Sequence, residues 1–154
     1  MPEILKTHPD ARLYIAGTGP EEGRLYKEAV SQGVERHVIF LGAKRRDDLG
    51  RYMRAADVFL LNTGYEGFSH QLLEAMMVGA PIITTGAGGN REIVRDGVNA
   101  LVAGYNNFAD WQHAILRLMN DQILQQKIAQ GARGTSAQFS HDRMIQETLG
   151  ALGL

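Results

Sequence analysis

Short apolar runs alternate with longer segments of helical periodicity along the chain. Runs bounded by glycine or polar residues are typical of strands, and apolar positions three or four residues apart are typical of helices. The runs predict strands at residues 12–16, 37–41, 58–61, 82–84 and 100–103. The periodic segments predict helices at residues 21–32, 45–55, 68–78 and 90–95. Residues 107–149 follow as two or three further helices, with breaks near Gly131, Gly134 and Ser140.

The predicted strands are short and apolar throughout, which indicates a sheet covered by helices on both faces. Because strands alternate with helices, the strands should run parallel. The sequence therefore predicts a single α/β domain of the doubly wound, Rossmann-like type. In such sheets, ligands bind beyond the carboxyl ends of the strands. Glycine and polar residues concentrate at those predicted ends, at residues 17–20, 42–44, 62–67 and 84–90.

Residues 65–75 combine two carboxylates with a predicted helix start. Glu66 lies in the loop after the third strand. The backbone N–H groups of residues 67–70 would be unpaired donors at the positive end of the helix dipole, which suits a phosphate group. Glu74 lies about two turns deeper, in a helix that is apolar almost all round. A carboxylate buried there needs a cation, hydrogen-bond donors or the hydroxyls of a ligand. This arrangement fits a polyol joined to a diphosphate, as in a nucleotide sugar.

Glu66 and Glu74 are separated by seven residues, which resembles the E-x7-E element of retaining glycosyltransferases of the group 1, or family 4, type. Those enzymes have two facing nucleotide-binding-type domains, the GT-B fold. The chain resembles the C-terminal, donor-binding domain over residues 1–150. The match includes Gly17-x-Gly19-Pro20, Phe40-Leu41-Gly42, Ala75-Met76, Gly79-x-Pro81 and Gly88-Gly89-x-x-Glu92-Ile93-Val94-x-Asp96-Gly97. Each piece alone is common, but the ordered set is specific.

The resemblance implies roles for the residues around the predicted helix start. Glu66 would hydrogen-bond hydroxyls of the transferred sugar, and it is the candidate catalytic residue. Gly67, Phe68 and Ser69 would offer backbone donors to the sugar and the diphosphate. Glu74 would accept from the ribose hydroxyls. No metal ion or other cofactor is implied, since helix dipoles and protein cations would neutralise the diphosphate.

Further positions follow from the same resemblance. The turn at Gly42, Ala43 and Lys44 would contact the base through the backbone, and Gly17 would permit close approach to the nucleotide. His70 stands where family members often have an aliphatic or small residue, so it would influence the choice of donor. Family members commonly carry glycine at the position of Asn99.

The resemblance also implies parts that this sequence does not contain. The family's donor domain usually opens with a strand followed by a basic pair that grips the diphosphate, whereas this sequence begins near the end of the following helix. The acceptor-binding domain is also absent. We therefore expect the acceptor domain to be supplied by a missing N-terminal part or by a partner chain, and we expect the isolated chain to be inactive in transfer.

Plainer interpretations stay open for several of these residues. Glu74 could form an ion pair with His70 one turn earlier, and Glu66 could be a solvated loop acid. Residues 17–20 could be only a strand-to-helix turn. Residues 88 and 89 are expected to allow close backbone approach, and Glu92 to be a helix-start acid. Trp111 is expected to pack in a helix, and Tyr65 and Tyr105 are left undecided.

Composition adds several exclusions. The net charge is −1 without a basic cluster, which gives no sign of nucleic-acid binding. The chain has no cysteine, so disulfides and thiolate metal sites are excluded. The histidines outside the helix start lack ligand spacing, and no apolar run is long enough to cross a bilayer. We expect a soluble, cytoplasmic protein, with peripheral association of the full-length enzyme at the inner face of the membrane left open.

Two functions compete with sugar transfer. The first is a stand-alone module that binds a nucleotide or nucleotide sugar without catalysis. The second is a dinucleotide-dependent oxidoreductase. The dinucleotide-binding pattern G-x-G-x-x-G is incomplete, however, because Gly17 and Gly19 match its first two glycines but Glu22 stands at the third. We therefore expect a donor-binding domain that serves transfer of a hexose from a nucleoside-diphosphate sugar to a glycan or lipid-linked acceptor.

Overall fold

The computed structural model describes residues 1–139, and the chain divides into two compact units, Met1–Arg51 and Tyr52–Leu154. The first unit holds α1 (Pro2–Thr7), β1 (Leu13–Ala16), α2 (Glu22–Ser31) and β2 (Val38–Gly42), and α3 (Arg46–Ala55) contains the division. The second unit holds β3 (Phe59–Leu61), α4 (His70–Val78), β4 (Ile82–Thr84), β5 (Leu101–Val102), α5 (Phe108–Asn120) and α6 (Gln122–Ser136). Short 3-10 helices lie at Glu35–His37, Gly88–Glu92 and Ala137–Phe139. None of the described helices is both long and apolar enough to cross a bilayer.

The N-terminal unit is a strand–helix–strand arrangement. Strand β1 pairs in parallel with β2, and the register shifts after Ile15 so that Ala16 lies opposite Gly42. Helix α2 connects the two strands and is followed by Gly33, whose φ of 65° is left-handed. Glycine adopts that conformation without a steric penalty, which explains why the helix ends there. The parallel pairing predicted from the alternation of strands and helices is confirmed.

The C-terminal unit has a parallel sheet in the order β3-β4-β5. Ile82 and Ile83 of β4 point to opposite faces, because side chains alternate along a strand. Ile82 packs in one buried cluster with Leu72 of α4. Ile83 packs in a second cluster with Leu118 of α5 and Ile128 of α6. Helices therefore cover both faces of this sheet, as the continuously apolar strands predict.

Every predicted strand is present, with ends displaced by at most one residue. Helix α4 ends at Gly79, as predicted, in a left-handed conformation with φ of 72°. The helix predicted at residues 90–95 is wrong in type and in place. The chain turns at Gly88, where φ is 57°, and closes only a 3-10 helix in which the Asn90 N–H donates to the Ala87 carbonyl at 3.2 Å.

The predicted breaks near Gly131 and Gly134 are also wrong, because α6 runs unbroken through both residues. The break lies at Asp121, whose carboxylate accepts from the Leu124 N–H at 2.8 Å and caps the start of α6. Gly131 serves packing instead, since a Cβ atom there would overlap the Val98 carbonyl oxygen. The break predicted near Ser140, and the helical pattern up to residue 149, lie outside the described residues.

Asn99 joins the segment after the 3-10 helix to α6. Its side chain is 1% exposed. Its Oδ1 accepts from the Arg95 N–H at 2.7 Å, and its Nδ2 donates to the Ile93 carbonyl at 2.7 Å and to Thr135 Oγ1 at 2.8 Å. With all of these bonds made, Asn99 is a cross-link between a loop and a helix.

Candidate functional site

Ser69 determines where α4 begins. Its backbone is extended, its Oγ accepts from the Leu72 N–H at 3.3 Å, and its carbonyl accepts from the Leu73 N–H at 3.1 Å. Serine is a favoured N-cap residue because its hydroxyl satisfies a donor that the helix leaves unpaired. The helix therefore starts at His70, and the predicted start at Phe68 is wrong by two residues.

The helix start presents backbone donors, but the set differs from the predicted one. The N–H of Ser69 already donates to Asn90 Oδ1 at 3.0 Å, so it is not the unpaired donor that the sequence suggested. Within residues 1–139, the N–H groups of Gly67, Phe68, His70 and Gln71 donate no hydrogen bond. These residues are exposed, and because they precede or begin α4, their donors lie at the positive end of the helix dipole. Such a surface suits an anion.

Glu66 and Glu74 are both half-buried. Helix α4 buries Leu72 on its packed side, while His70 and Met77 on the other side are exposed. The expectation of a helix surrounded by apolar contacts is therefore wrong, because an apolar composition does not reveal which faces other elements cover. The consequence for Glu74 is direct. Glu74 lies four residues after His70, and therefore on the same side of α4, and both interpretations of Glu74 stay predictions.

The glycine pair at residues 88 and 89 packs directly against the loop that carries Glu66. The Gly89 N–H donates to the Glu66 carbonyl at 3.0 Å. A Cβ atom on Gly88 would overlap the carbonyl oxygen of Glu66, and one on Gly89 would overlap that of Gly67. The predicted close backbone approach is confirmed. Glu92, however, ends the 3-10 helix and is not a helix-start acid.

The loop of residues 62–69 is held further along by contacts that the sequence did not indicate. Thr85 Oγ1 donates to the Thr63 carbonyl at 2.6 Å. Asn62 Nδ2 donates to Asn106 Oδ1 at 3.1 Å. A Cβ atom on Gly64 would lie 2.8 Å from the ring of Tyr105, so this ring lies tightly against the loop. Of these contacts, only the turn at Asn106 had a signal in the sequence, because asparagine tolerates the left-handed φ of 53° found there.

In the N-terminal unit, two of the predicted residues lie side by side. The Gly17 N–H donates to the Gly42 carbonyl at 2.9 Å, which joins the turns that follow β1 and β2. Their φ angles are 121° and 64°, so both turns use conformations that favour glycine. Ala43 and Lys44 follow and are exposed. The turns at the carboxyl ends of β1 and β2 therefore carry four of the candidate residues, Gly17, Gly42, Ala43 and Lys44.

Other features of the C-terminal unit lie away from these residues. Trp111 is 9% exposed and its Nε1 donates to the Gly104 carbonyl at 3.0 Å, which confirms the predicted packing role. A groove of ≈ 340 Å³ between β5 and α5 is lined by residues that include Asp96, Val102, His113 and Arg117, with none of the predicted site residues. Within residues 1–139, no three His, Asp or Glu side chains form a group that could hold a metal ion.

Sequence comparison places the chain among known proteins. The family model described as glycosyl transferases group 1 matches residues 1–135. An uncharacterized glycosyltransferase of Methanocaldococcus jannaschii is 31% identical over 150 residues, which cover 97% of this chain and 38% of that protein. The lipopolysaccharide core biosynthesis glycosyltransferase LpsE of Rhizobium meliloti is 29% identical over 96% of this chain and 43% of its own length. The chain thus spans less than half the length of these relatives.

Structural comparison agrees with the sequence. HepE of Anabaena, solved in complex with UDP, superposes with a TM-score of 0.82 and 25% identity over 93% of this chain and 42% of that one. The C-terminal domain of the group 1 glycosyltransferase LpcC of Francisella tularensis gives a TM-score of 0.79 and 26% identity, over 88% of this chain and 72% of that one. The predicted α/β fold of a GT-B C-terminal domain is confirmed. The chain belongs to the glycosyl transferases group 1 family.

Proposed function

We propose that this chain binds the nucleotide-sugar donor of a retaining glycosyltransferase, which transfers a hexose to a glycan or lipid-linked acceptor. The observation that carries the proposal is the set of N–H groups at Gly67, Phe68, His70 and Gln71, which donate no hydrogen bond within residues 1–139 and lie between Glu66 and Glu74 in the sequence. HepE of Anabaena has been solved with UDP and with UDP-glucose, which supports a donor of this class.

The start of α4 is suited to the diphosphate. Exposed backbone donors and the helix dipole favour the two negative phosphates, and the dipole favours more strongly the charge that develops on the leaving diphosphate during transfer. These groups are fixed by the protein fold and need no reorganisation when the bond breaks. We therefore propose that donor binding requires no metal ion, and that chelation by EDTA leaves the affinity unchanged.

The two carboxylates would orient the rest of the donor. Glu66, which precedes the donors, would accept hydrogen bonds from the sugar hydroxyls and hold the anomeric carbon beside an acceptor, a contribution of proximity and orientation. Glu74, one turn into α4, would accept from the ribose hydroxyls. His70 lies at the first helical position, four residues after Glu66 and four before Glu74 in sequence, and its side chain would influence donor choice.

Transfer itself is proposed for the whole enzyme, since this chain spans 38% and 43% of the two relatives described above. The acceptor would be bound by another domain or a partner chain, and the isolated chain would bind donor without transferring the sugar. A cytoplasmic location with peripheral contact to the inner face of the membrane would suit a lipid-linked acceptor.

Gly67→Ala tests the proposed site at the start of α4. A Cβ atom on Gly67 meets no atom of residues 1–139 within 4 Å, so we expect the folded chain to keep its thermal stability. The methyl group would stand in the space that the donor occupies, and we expect about tenfold weaker binding, equivalent to about 1.4 kcal/mol. Calorimetric titration of both forms with UDP, GDP, ADP and NAD measures the effect.

Gly134→Ala is the matched control, because Gly134 is also exposed and its Cβ atom also meets nothing within 4 Å in the described part of the chain. Selective binding of one nucleoside diphosphate, weakened by Gly67→Ala and not by Gly134→Ala, supports the proposal. Binding of NAD alone, or of none of the four nucleotides by the unsubstituted chain, would contradict it.

A further inference from the structure

The loop of residues 62–69 carries the proposed donor-binding groups, yet it forms no helix or strand of its own. We propose that Asn90, with the glycine pair before it, is a positioning residue that holds this loop in the shape needed to bind a nucleoside diphosphate. The inference rests on the proposed function. It adds a residue that touches neither the sugar nor the diphosphate and acts through Ser69.

Asn90 reaches the loop from the turn that follows β4. Its side chain is fully buried, and its Oδ1 accepts from the Ser69 N–H at 3.0 Å. An N–H donor must face the oxygen of the amide, so this contact also fixes which way the amide points. Ser69 is 4% exposed and in turn caps α4 through its hydroxyl on the Leu72 N–H. A continuous chain of hydrogen bonds therefore links the turn after β4 to the first turn of α4.

The two residues before Asn90 fix the other end of the same loop segment. The Gly89 N–H donates to the Glu66 carbonyl, and neither residue 88 nor residue 89 leaves room for a side chain. Three consecutive residues thus hold Glu66, Gly67 and Ser69. The donors at residues 67, 68, 70 and 71, which make no hydrogen bond within residues 1–139, lie within or next to this segment. The shape of the segment therefore determines where those donors point.

The turn that carries Asn90 is itself well anchored. The Asn90 carbonyl accepts from the N–H groups of Ile93 at 3.2 Å and Val94 at 2.9 Å. Arg91 Nε donates to the Gly86 carbonyl at 3.1 Å. Asn90 therefore projects from a hydrogen-bonded turn, whereas residues 62–69 form no helix or strand. We expect the turn to hold the loop in place, and not the reverse.

The hydrogen bonding of Asn90 differs from that of Asn99, the other fully buried asparagine among the described residues. All three polar contacts of Asn99 are made, and they join a loop to α6. Asn90 Nδ2 is buried with no hydrogen-bond partner among residues 1–139. An unpaired buried amide is unfavourable, so the contact from Oδ1 to Ser69 has to offset it. The side-chain contact that Asn90 makes is therefore through its Oδ1, and this contact is to Ser69 at the start of α4.

The test compares Asn90→Ala and Asn90→Leu with Asn99→Ala. Leucine has the same branched arrangement of side-chain heavy atoms as asparagine, so Asn90→Leu removes the acceptor without leaving a cavity. Each variant is titrated with UDP-glucose, UDP and uridine at a temperature where circular dichroism shows it folded, and exchange of the Ser69 amide hydrogen is followed by NMR.

We expect both Asn90 variants to bind UDP and UDP-glucose about tenfold more weakly, equivalent to about 1.4 kcal/mol. Uridine, which lacks phosphate, should bind with nearly unchanged affinity, and the Ser69 amide should exchange faster. Asn99→Ala should lower thermal stability at least as much and leave all three affinities within about twofold of the unsubstituted chain. Asn90 variants that bind UDP as the unsubstituted chain does, or that lose no more affinity than Asn99→Ala, would overturn the inference. Failure of the unsubstituted chain to bind UDP or UDP-glucose would instead overturn the proposed function, and the positioning role with it.

Discussion

Glu74→Ala is expected to weaken binding of UDP by about 100-fold, or about 3 kcal/mol, while the chain stays folded. A carboxylate that accepts from two ribose hydroxyls makes two charge-assisted hydrogen bonds, each contributing about 1.5 kcal/mol. Glu74 is half-buried and is not fully enclosed by the fold. Calorimetric titration of the two forms with UDP gives the affinities, and thermal unfolding gives their stabilities.

His70→Ala separates this role from the structural alternative. His70 and Glu74 are four residues apart on α4, a spacing at which opposite charges stabilise a helix by about 0.2–0.5 kcal/mol. If Glu74 served only such a pair, both substitutions would lower stability by that small and equal amount. Unchanged affinity for UDP in Glu74→Ala would then contradict the ribose-binding role.

Gly131→Ala is expected to lower the free energy of unfolding by about 3 kcal/mol, although alanine is the better helix former. A Cβ atom on Gly131 would overlap the Val98 carbonyl oxygen and lie 3.3 Å from the Asn99 Cα. Both are backbone atoms, which cannot move aside as the end of a flexible side chain can. The segment before β5 would have to separate from α6, and the bond from Asn99 to Thr135 would be strained with it. Urea unfolding followed by circular dichroism measures the loss.

Gly134→Ala in the same helix is the control. Its Cβ atom would meet nothing within 4 Å among residues 1–139, so only the helix propensity should count. We expect the free energy of unfolding to rise by about 0.5–1 kcal/mol. Equal effects of the two substitutions would show that the close approach of α6 to Val98 does not limit stability.

The order of strands and helices could be predicted from the sequence because each element has a local signal. Apolar runs bounded by glycine gave all five strands, and Gly79 gave the end of α4. Gly131 and Gly134 misled, since glycine within a helical pattern is consistent either with a break or with close packing. At Gly131 the close packing is against Val98, more than thirty residues earlier in the chain.

In the candidate site, too, residues with a local sequence pattern could be predicted and residues that act through long-range contacts could not. Glu66, Glu74 and the glycine turns could be found because their spacing is a local pattern. Asn90 and Tyr105 could not, since their contacts join loops that follow different strands. Ser69 could have been recognised as the N-cap of α4 from its residue type, which would have placed the helix start correctly.

Amide NMR of the labelled chain, titrated with UDP-glucose, tests most directly whether the donor binds at the start of α4. The account predicts the largest shifts at the amides of Gly67, Phe68, His70 and Gln71, which donate no hydrogen bond within residues 1–139. The amide chemical shifts of residues in the groove between β5 and α5, such as His113 and Arg117, should stay unchanged. Shifts confined to that groove, with none at residues 67–71, would contradict the account.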